Sequence, residues 1–170
     1  MDHTVLFSAE DINQEVRRLA AAIDTTNVDS YLVVTVLKGA AIFSSDLVRA
    51  MTTDTELAYI TASSYIEDFT PGETLTVQED TTIDVRDRDV LIVEDIIDTG
   101  RTLKNISTII QQGRPKSIST VALVNKTIRR TSDLQPPHSG FNITDEFIYG
   151  YGLDWNERFR DLPYIAIAIA

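Results

Sequence analysis

Three acids and a small-residue turn stand together in Val90–Leu103, which reads VLIVEDIIDTGRTL. Glu94 and Asp95 are adjacent, Asp98 follows two isoleucines, and Thr99-Gly100-Arg101-Thr102 comes next. Carboxylates accept hydrogen bonds from hydroxyl groups and hold hard divalent cations. The turn suits an anion instead. Thr99 and Thr102 supply hydroxyl donors, and Gly100 lets the backbone bend and come close to a phosphate. Leu103, Ile106 and Ile110 then fall at helical spacing, so the turn opens a helix. The first N–H groups of a helix are unpaired, and its dipole favours negative charge there. Before the acids, Val90 to Val93 is an apolar run with the look of a buried parallel strand. Acids that take hydroxyls beside a turn that takes phosphate fit a sugar phosphate, which carries both groups.

The elements that must position this stretch lie on both sides of it. Ser8-Ala9-Glu10-Asp11 reads as a helix N-cap with acids in the first turn, and Ile12, Val16, Leu19, Ala20 and Ile23 repeat at helical spacing. Tyr31 to Leu37 reads as a buried strand, followed by a turn at Lys38-Gly39-Ala40 and a helix carrying Phe43, Leu47, Ala50 and Met51. Leu57 to Ala62 is the next strand. The helix after Thr102 is expected to stop near Gly113 and Pro115. Further strands are expected at Ile118–Val124, Glu146–Tyr149 and Tyr164–Ile169. Strands alternating with helices imply an α/β fold with a doubly wound, mainly parallel sheet flanked by helices. Ligands of such sheets bind outside the carboxyl ends of the strands, at a switch point. The acidic stretch from Tyr65 to Asp89 carries a turn at Thr70-Pro71-Gly72-Glu73. Thr74 to Val77 is expected to pair back on the segment before that turn, and residues 65–80 to act as a mobile lid.

Composition narrows the function classes. At 170 residues the chain is most simply one domain, 1–170, with an ample core. No cysteine is present, which removes disulfides, thiol catalysis and thiolate metal sites. His3 and His138 are far apart, which argues against a histidine metal site or triad. The formal charge is -11, and Glu67 to Asp98 holds eleven acids against Arg86 and Arg88, a net of -9. Such a surface repels nucleic acid and anionic membrane. No apolar run approaches the roughly 18 residues of a membrane span, and the N-terminus has no secretory pattern. The expectation is a cytoplasmic protein without nucleic-acid or membrane partners. A polyanionic small ligand would need local positive charge, which divalent cations or the basic residues Lys126, Arg129, Arg130, Arg158 and Arg160 can supply.

The Glu-Asp-Ile-Ile-Asp-Thr-Gly run resembles the phosphoribosyl-diphosphate signature of the type I phosphoribosyltransferases, and of their hypoxanthine–guanine branch in particular. The resemblance implies that Glu94 and Asp95 hold the ribose hydroxyls and that Asp98 is the catalytic base. It places the 5′-phosphate on Asp98, Thr99, Gly100, Arg101 and Thr102. It places pyrophosphate on Lys38 and Gly39, with a Leu37–Lys38 peptide that can be cis, and on Ser64, Tyr65 and Arg160. Lys126, Phe147, Ile148 and Asp154 would meet the purine, and Mg²⁺ would be held by Glu94, Asp95 and Asp154. The family often has a glycine where this chain has Ala40, and commonly one where it has Ile66. Similarity runs from about Phe7 to Ile167.

The function implied by the resemblance is purine salvage. The 5-phosphoribose of 5-phosphoribosyl 1-diphosphate would pass to hypoxanthine or guanine, giving the nucleoside monophosphate and pyrophosphate. The family's small hood, built from the terminal segments, and its homodimers or homotetramers are expected with it. One alternative is a regulator on the same fold, of the pyrimidine-operon attenuator type, which would need a basic RNA-binding surface. Another is the same enzyme class with a different base: xanthine remains open, while Lys126 and Phe147–Asp154 speak against adenine and pyrimidines. An unrelated phosphate-binding α/β protein would not need the Phe147–Arg160 segment.

Overall fold

The computed structural model describes residues 3–61, 75–78, 81–128 and 136–168. In chain order the elements are β1 (His3–Phe7), α1 (Ala9–Asp24), β2 (Ser30–Leu37), α2 (Ala41–Ala50), β3 (Asp54–Thr61), β4 (Leu75–Gln78), β5 (Thr81–Ile83), β6 (Asp89–Ile97), α3 (Arg101–Gln112), β7 (Ser117–Lys126), β8 (His138–Ile143), β9 (Ile148–Tyr149) and β10 (Ile165–Ala168).

Ser8 starts α1 with a capping box. Its hydroxyl accepts from the Asp11 N–H at 3.1 Å, and its own N–H donates to Asp11 Oδ2 at 2.8 Å. The apolar stripe of α1, Ile12, Val16, Leu19, Ala20 and Ile23, is buried as its spacing predicts. At the other end Asp24 accepts from both the N–H and the hydroxyl of Thr52 and of Thr53, at 2.7–3.0 Å. Partial burial disfavours its charge, but these four donors outweigh that and lower its pKa.

Five strands form a parallel sheet in the order β3-β2-β6-β7-β8. From β2 the chain crosses by α2 to β3 on one side. From β6 it crosses by α3 to β7 on the other. The switch point therefore falls between β2 and β6. Both central strands are buried on both faces, which is why they read as unbroken apolar runs. One face packs against α1 and α2 through Tyr31, Val33, Phe43, Leu47, Leu91 and Val93. The other packs against α3 through Leu32, Val34, Val90, Ile92, Leu103, Ile106 and Ile110. Pairing of β2 with β6 ends at Thr35–Val93, whereas β6 stays paired with β7 as far as Ile97–Asn125. The two strands at the switch point part there, and a cavity opens between their ends.

A separate antiparallel sheet, β1-β10-β9, joins the chain ends, as the terminal hood requires. The expected strands near Glu146–Tyr149 and Tyr164–Ile169 are its β9 and β10. Three strands were not anticipated. β1 is short and runs directly into the Ser8 cap. β8 has no apolar run and contains Gly140, where a Cβ would lie 2.4 Å from the Leu123 carbonyl oxygen of β7. The third, β5, pairs antiparallel with β4, which precedes it; the segment before Thr70, expected to pair with Thr74–Val77, lies outside the described residues. A connection of only two residues favours that pairing. Most of the expected 65–80 lid lies outside the described residues.

Candidate active site

The cavity at the carboxyl ends of β2 and β6 has a volume of about 330 Å³. Its wall brings together Lys38, Gly39, Glu94, Asp95, Asp98, Thr99, Gly100, Thr102, Asp154 and Arg160. These come from three parts of the chain: the loop after β2, the end of β6 with the turn behind it, and the hood between β9 and β10.

Two helices begin at this cavity without side-chain caps. Gly100 is the N-cap of α3 in the left-handed conformation, φ 79°, and has no side chain with which to cap the helix. Ala40 caps α2, again with no side-chain hydrogen bond. Both contrast with the self-capped α1. In each, the first helical N–H is already taken, Arg101 by the Thr99 hydroxyl and Ala41 by the Lys38 carbonyl, and the next N–H groups of the turn are the ones that can meet an anion. The Thr99 hydroxyl already turns inward to accept from the Arg101 N–H at 3.3 Å. Arg101 itself is exposed and is not part of the cavity wall; only its backbone belongs to the turn.

β6 runs on through both acids to Ile97, four residues beyond its expected end. Glu94 is buried and Asp95 half-buried. Burial pushes the Glu94 carboxyl well above its usual range, with the Asp95 charge and a hydrogen bond between the two side chains adding to it. Burial also raises Asp95, although the Ile96 N–H at 2.8 Å and Glu94 act against it. The Glu94 Oε2 atom is buried without a hydrogen-bond partner. The pair thus resists full ionisation until something that rewards it arrives.

These raised acids give stability a pH dependence of definite sign. An acid whose pKa is raised by folding keeps its proton in the folded state after the unfolded chain has lost it. Stability then falls as pH rises above the unfolded value. Glutamine cannot ionise, yet keeps a donor for Asp95. Glu94→Gln is expected to melt with the wild type near pH 4 and above it at pH 8. A buried polar group of this kind costs about 1–3 kcal/mol, so the gain at pH 8 is several degrees, at about 2–4 °C per kcal/mol. Thermal melts across that range check it; a pH-independent difference would refute the account.

Two glycines lock the three segments together. A Cβ on Gly39 would stand 1.7 Å from Asp95 Oδ2, so the loop after β2 lies directly against the paired acids. Gly152, at φ 99°, would place a Cβ 2.1 Å from the Gly39 carbonyl oxygen. The Leu37–Lys38 peptide between β2 and this loop is cis. Arg160 is held by the hood: its Nη1 donates to the Gly152 carbonyl at 2.8 Å, and its Nη2 pairs with Asp154 Oδ1 at 3.0 Å. Tyr151 ties the hood to α2 by donating to Asp46 Oδ2 at 2.6 Å. Gly152, Tyr151 and Asp46 were not among the residues singled out from the sequence. A glycine repeated around an aromatic, Gly150-Tyr151-Gly152, is the pattern that could have marked a close approach.

Lys126, Phe147 and Ile148 do not line this cavity. Lys126 ends β7 with its side chain buried, and its charge reaches Glu146, the neighbour of Phe147. Phe147 is 56% exposed and packs edge-on against Trp155, with ring centroids 5.6 Å apart. Its ring therefore keeps apolar surface for a stacked partner. Tyr149 is buried among Trp155 and Phe159, as a core aromatic should be. Ser64, Tyr65, Arg129 and Arg130 lie outside the described residues.

Among the described residues, no group of three or more His, Cys, Asp or Glu side chains is arranged to hold a metal ion unaided. Glu94, Asp95 and Asp154 face one cavity but do not form a closed cage. Mg²⁺ needs no such cage, because it keeps waters and takes one or two carboxylates together with substrate phosphates. The orphaned Glu94 oxygen and an all-oxygen donor set fit it.

Residues 5–156 match the phosphoribosyl transferase domain family. The chain is 37% identical to the hypoxanthine-guanine phosphoribosyltransferase of Bacillus subtilis over 164 residues, covering 96% of this chain and 91% of that one. Among solved structures, a hypoxanthine-guanine phosphoribosyltransferase from Bacillus anthracis superposes with a TM-score of 0.86 at 34% identity, covering 99% of this chain and all of that one. A hypoxanthine-guanine-xanthine phosphoribosyltransferase superposes with a TM-score of 0.81 at 30% identity, covering 98% and 94%.

Proposed function

The chain belongs to the phosphoribosyl transferase family, in its hypoxanthine-guanine branch, and from that premise we propose how its cavity works. The protein is a purine-salvage transferase. It moves 5-phosphoribose from 5-phosphoribosyl 1-diphosphate to hypoxanthine or guanine. The observation that carries the reading is the meeting, at one switch point, of hydroxyl-binding acids, an uncapped helix start and the cations Lys38 and Arg160.

In this reading the 5′-phosphate sits on the backbone of Thr99–Thr102 and on the threonine hydroxyls. Glu94 and Asp95 accept from the ribose hydroxyls. The diphosphate lies toward Lys38, the Gly39 backbone and Arg160. The bond from C1 to the diphosphate oxygen breaks with its electron pair going to the leaving group, and positive charge develops on the sugar ring. Lys38 and Arg160 offset the charge on the departing diphosphate. A purine nitrogen forms the new bond to C1 and loses its proton to Asp98. The purine lies beyond the sugar, against Phe147, with Lys126 and the backbone at Ile148 along its edges. Glu94, Asp95 and Asp154 would hold Mg²⁺, which when bound neutralises phosphate charge.

The family resemblance and the absence of any long apolar helix among the described residues support a cytoplasmic enzyme. Assembly as a homodimer or homotetramer rests on the resemblance alone.

The test is direct. Protein, Mg²⁺ and phosphoribosyl diphosphate are mixed with each base in turn, and the nucleoside monophosphate is measured. Product from hypoxanthine or guanine is expected, and excess EDTA is expected to abolish it. No product with either base would overturn the reading, and full turnover in EDTA would remove the metal from it.

A further inference from the structure

Glu157 occupies an unusual place for a glutamate. Trp155 and Arg158 exchange backbone hydrogen bonds of 3.0 and 3.1 Å, closing a two-residue hairpin turn. Its two tip residues, Asn156 and Glu157, are both left-handed, with φ of 51° and 62°. Such turns favour Asn-Gly, because a side chain at the second tip position is crowded by its own backbone. Here the position holds a long carboxylate, and the carboxylate faces two cations. It pairs with Lys38 Nζ at 2.8 Å and with Arg160 Nη2 at 3.3 Å. These are the two cations assigned to the diphosphate in the proposed function, and no step of that function uses Glu157.

The two cations differ in what else holds them. Arg160 is also fixed by Asp154 and the Gly152 carbonyl, so its position does not depend on Glu157. Lys38 has Glu157 as its acceptor, and both side chains are about two-thirds exposed. An exposed ion pair is weak, easily opened and screened by salt. A diphosphate carries more charge than one carboxylate and would displace it. The lysine beside it keeps the Glu157 carboxyl below its usual range, so the competitor stays charged at neutral pH.

We propose that Glu157 stands in for the diphosphate: its carboxylate occupies Lys38 and Arg160 in the empty site, and by competing for them it sets the affinity for phosphoribosyl diphosphate and hastens release of pyrophosphate. The inference rests on the diphosphate reading of Lys38 and Arg160.

The experiment measures pyrophosphate binding by calorimetry, and KM for phosphoribosyl diphosphate, for the wild type, Glu157→Gln, Glu157→Gly and Lys38→Met. Both Glu157 variants are expected to bind pyrophosphate about two- to fivefold more tightly, the range an exposed pair supplies. KM should fall by a similar factor, and the gain should shrink at high salt. In a Lys38→Met background the Glu157 substitutions should do little. A carboxylate that merely shaped the turn would give unchanged or weaker binding in Glu157→Gln, with no salt dependence, and that result would overturn the proposal alone. A wild type that binds no pyrophosphate would overturn the diphosphate reading, and the proposal with it.

Discussion

Replacing Asp98 by asparagine is expected to lower kcat by about 10²–10⁴ while leaving binding of phosphoribosyl diphosphate largely intact. Asp98 comes directly after β6 and lines the cavity between the acids Glu94 and Asp95 and the turn at Thr99–Thr102. In the proposed function a group in that position faces the bound sugar and receives the purine proton. Asparagine has the same size and can still accept a hydrogen bond. It cannot take the purine proton. The loss should therefore fall on turnover rather than on binding. Single-turnover rates, with KM for phosphoribosyl diphosphate measured alongside, separate the two. An unchanged kcat would remove Asp98 from the mechanism.

The part of the site that is legible in the sequence is the part built from contiguous residues. β6, its acids, the turn and α3 form one unbroken run. Each step carries its own local signal: apolar residues buried on both faces, then carboxylates, then glycine at a left-handed N-cap, then a helical stripe. The loop at Lys38-Gly39 is legible as a strand-to-helix turn, but its use comes from resemblance. Its contact with Asp95 joins residues far apart in the chain and has no local signature. The same holds for the hood. Gly152 matters because the Gly39 carbonyl passes beside it, and Glu157 matters because a left-handed turn aims it at Lys38. Neither fact can be read from neighbouring residues. In the fold, the strands missed are short, as β1 is, or not apolar enough to mark a core. β8 holds its place by backbone pairing with β7, and four of its six residues are polar or glycine.

The enzyme is expected to use hypoxanthine and guanine and to reject adenine by about 10³-fold or more in kcat/KM. Lys126 is the reason. An ammonium group has three donors and no acceptor. It can donate to the oxygen at C6 of hypoxanthine or guanine, whereas adenine presents an amino group there, also a donor. Lys126 ends β7 with its side chain buried, close enough to Glu146, the residue before Phe147, to act on its charge. Burial is what gives the lysine its discriminating power. On an exposed surface water would solvate the ammonium whichever base was bound, and the penalty would be slight. Covered by a base that cannot accept from it, the ammonium loses water and gains no bond from the base, and that loss costs a buried charged group several kcal/mol. Lys126→Ala removes the favourable bond and the penalty together. It should lower kcat/KM for hypoxanthine by about 10- to 10²-fold, the worth of a hydrogen bond to a charged donor, while narrowing the gap to adenine. The ratio of kcat/KM for the three bases, in the wild type and the variant, measures both effects. Comparable use of adenine by the wild type would refute the assignment, as would a variant that keeps full activity on hypoxanthine.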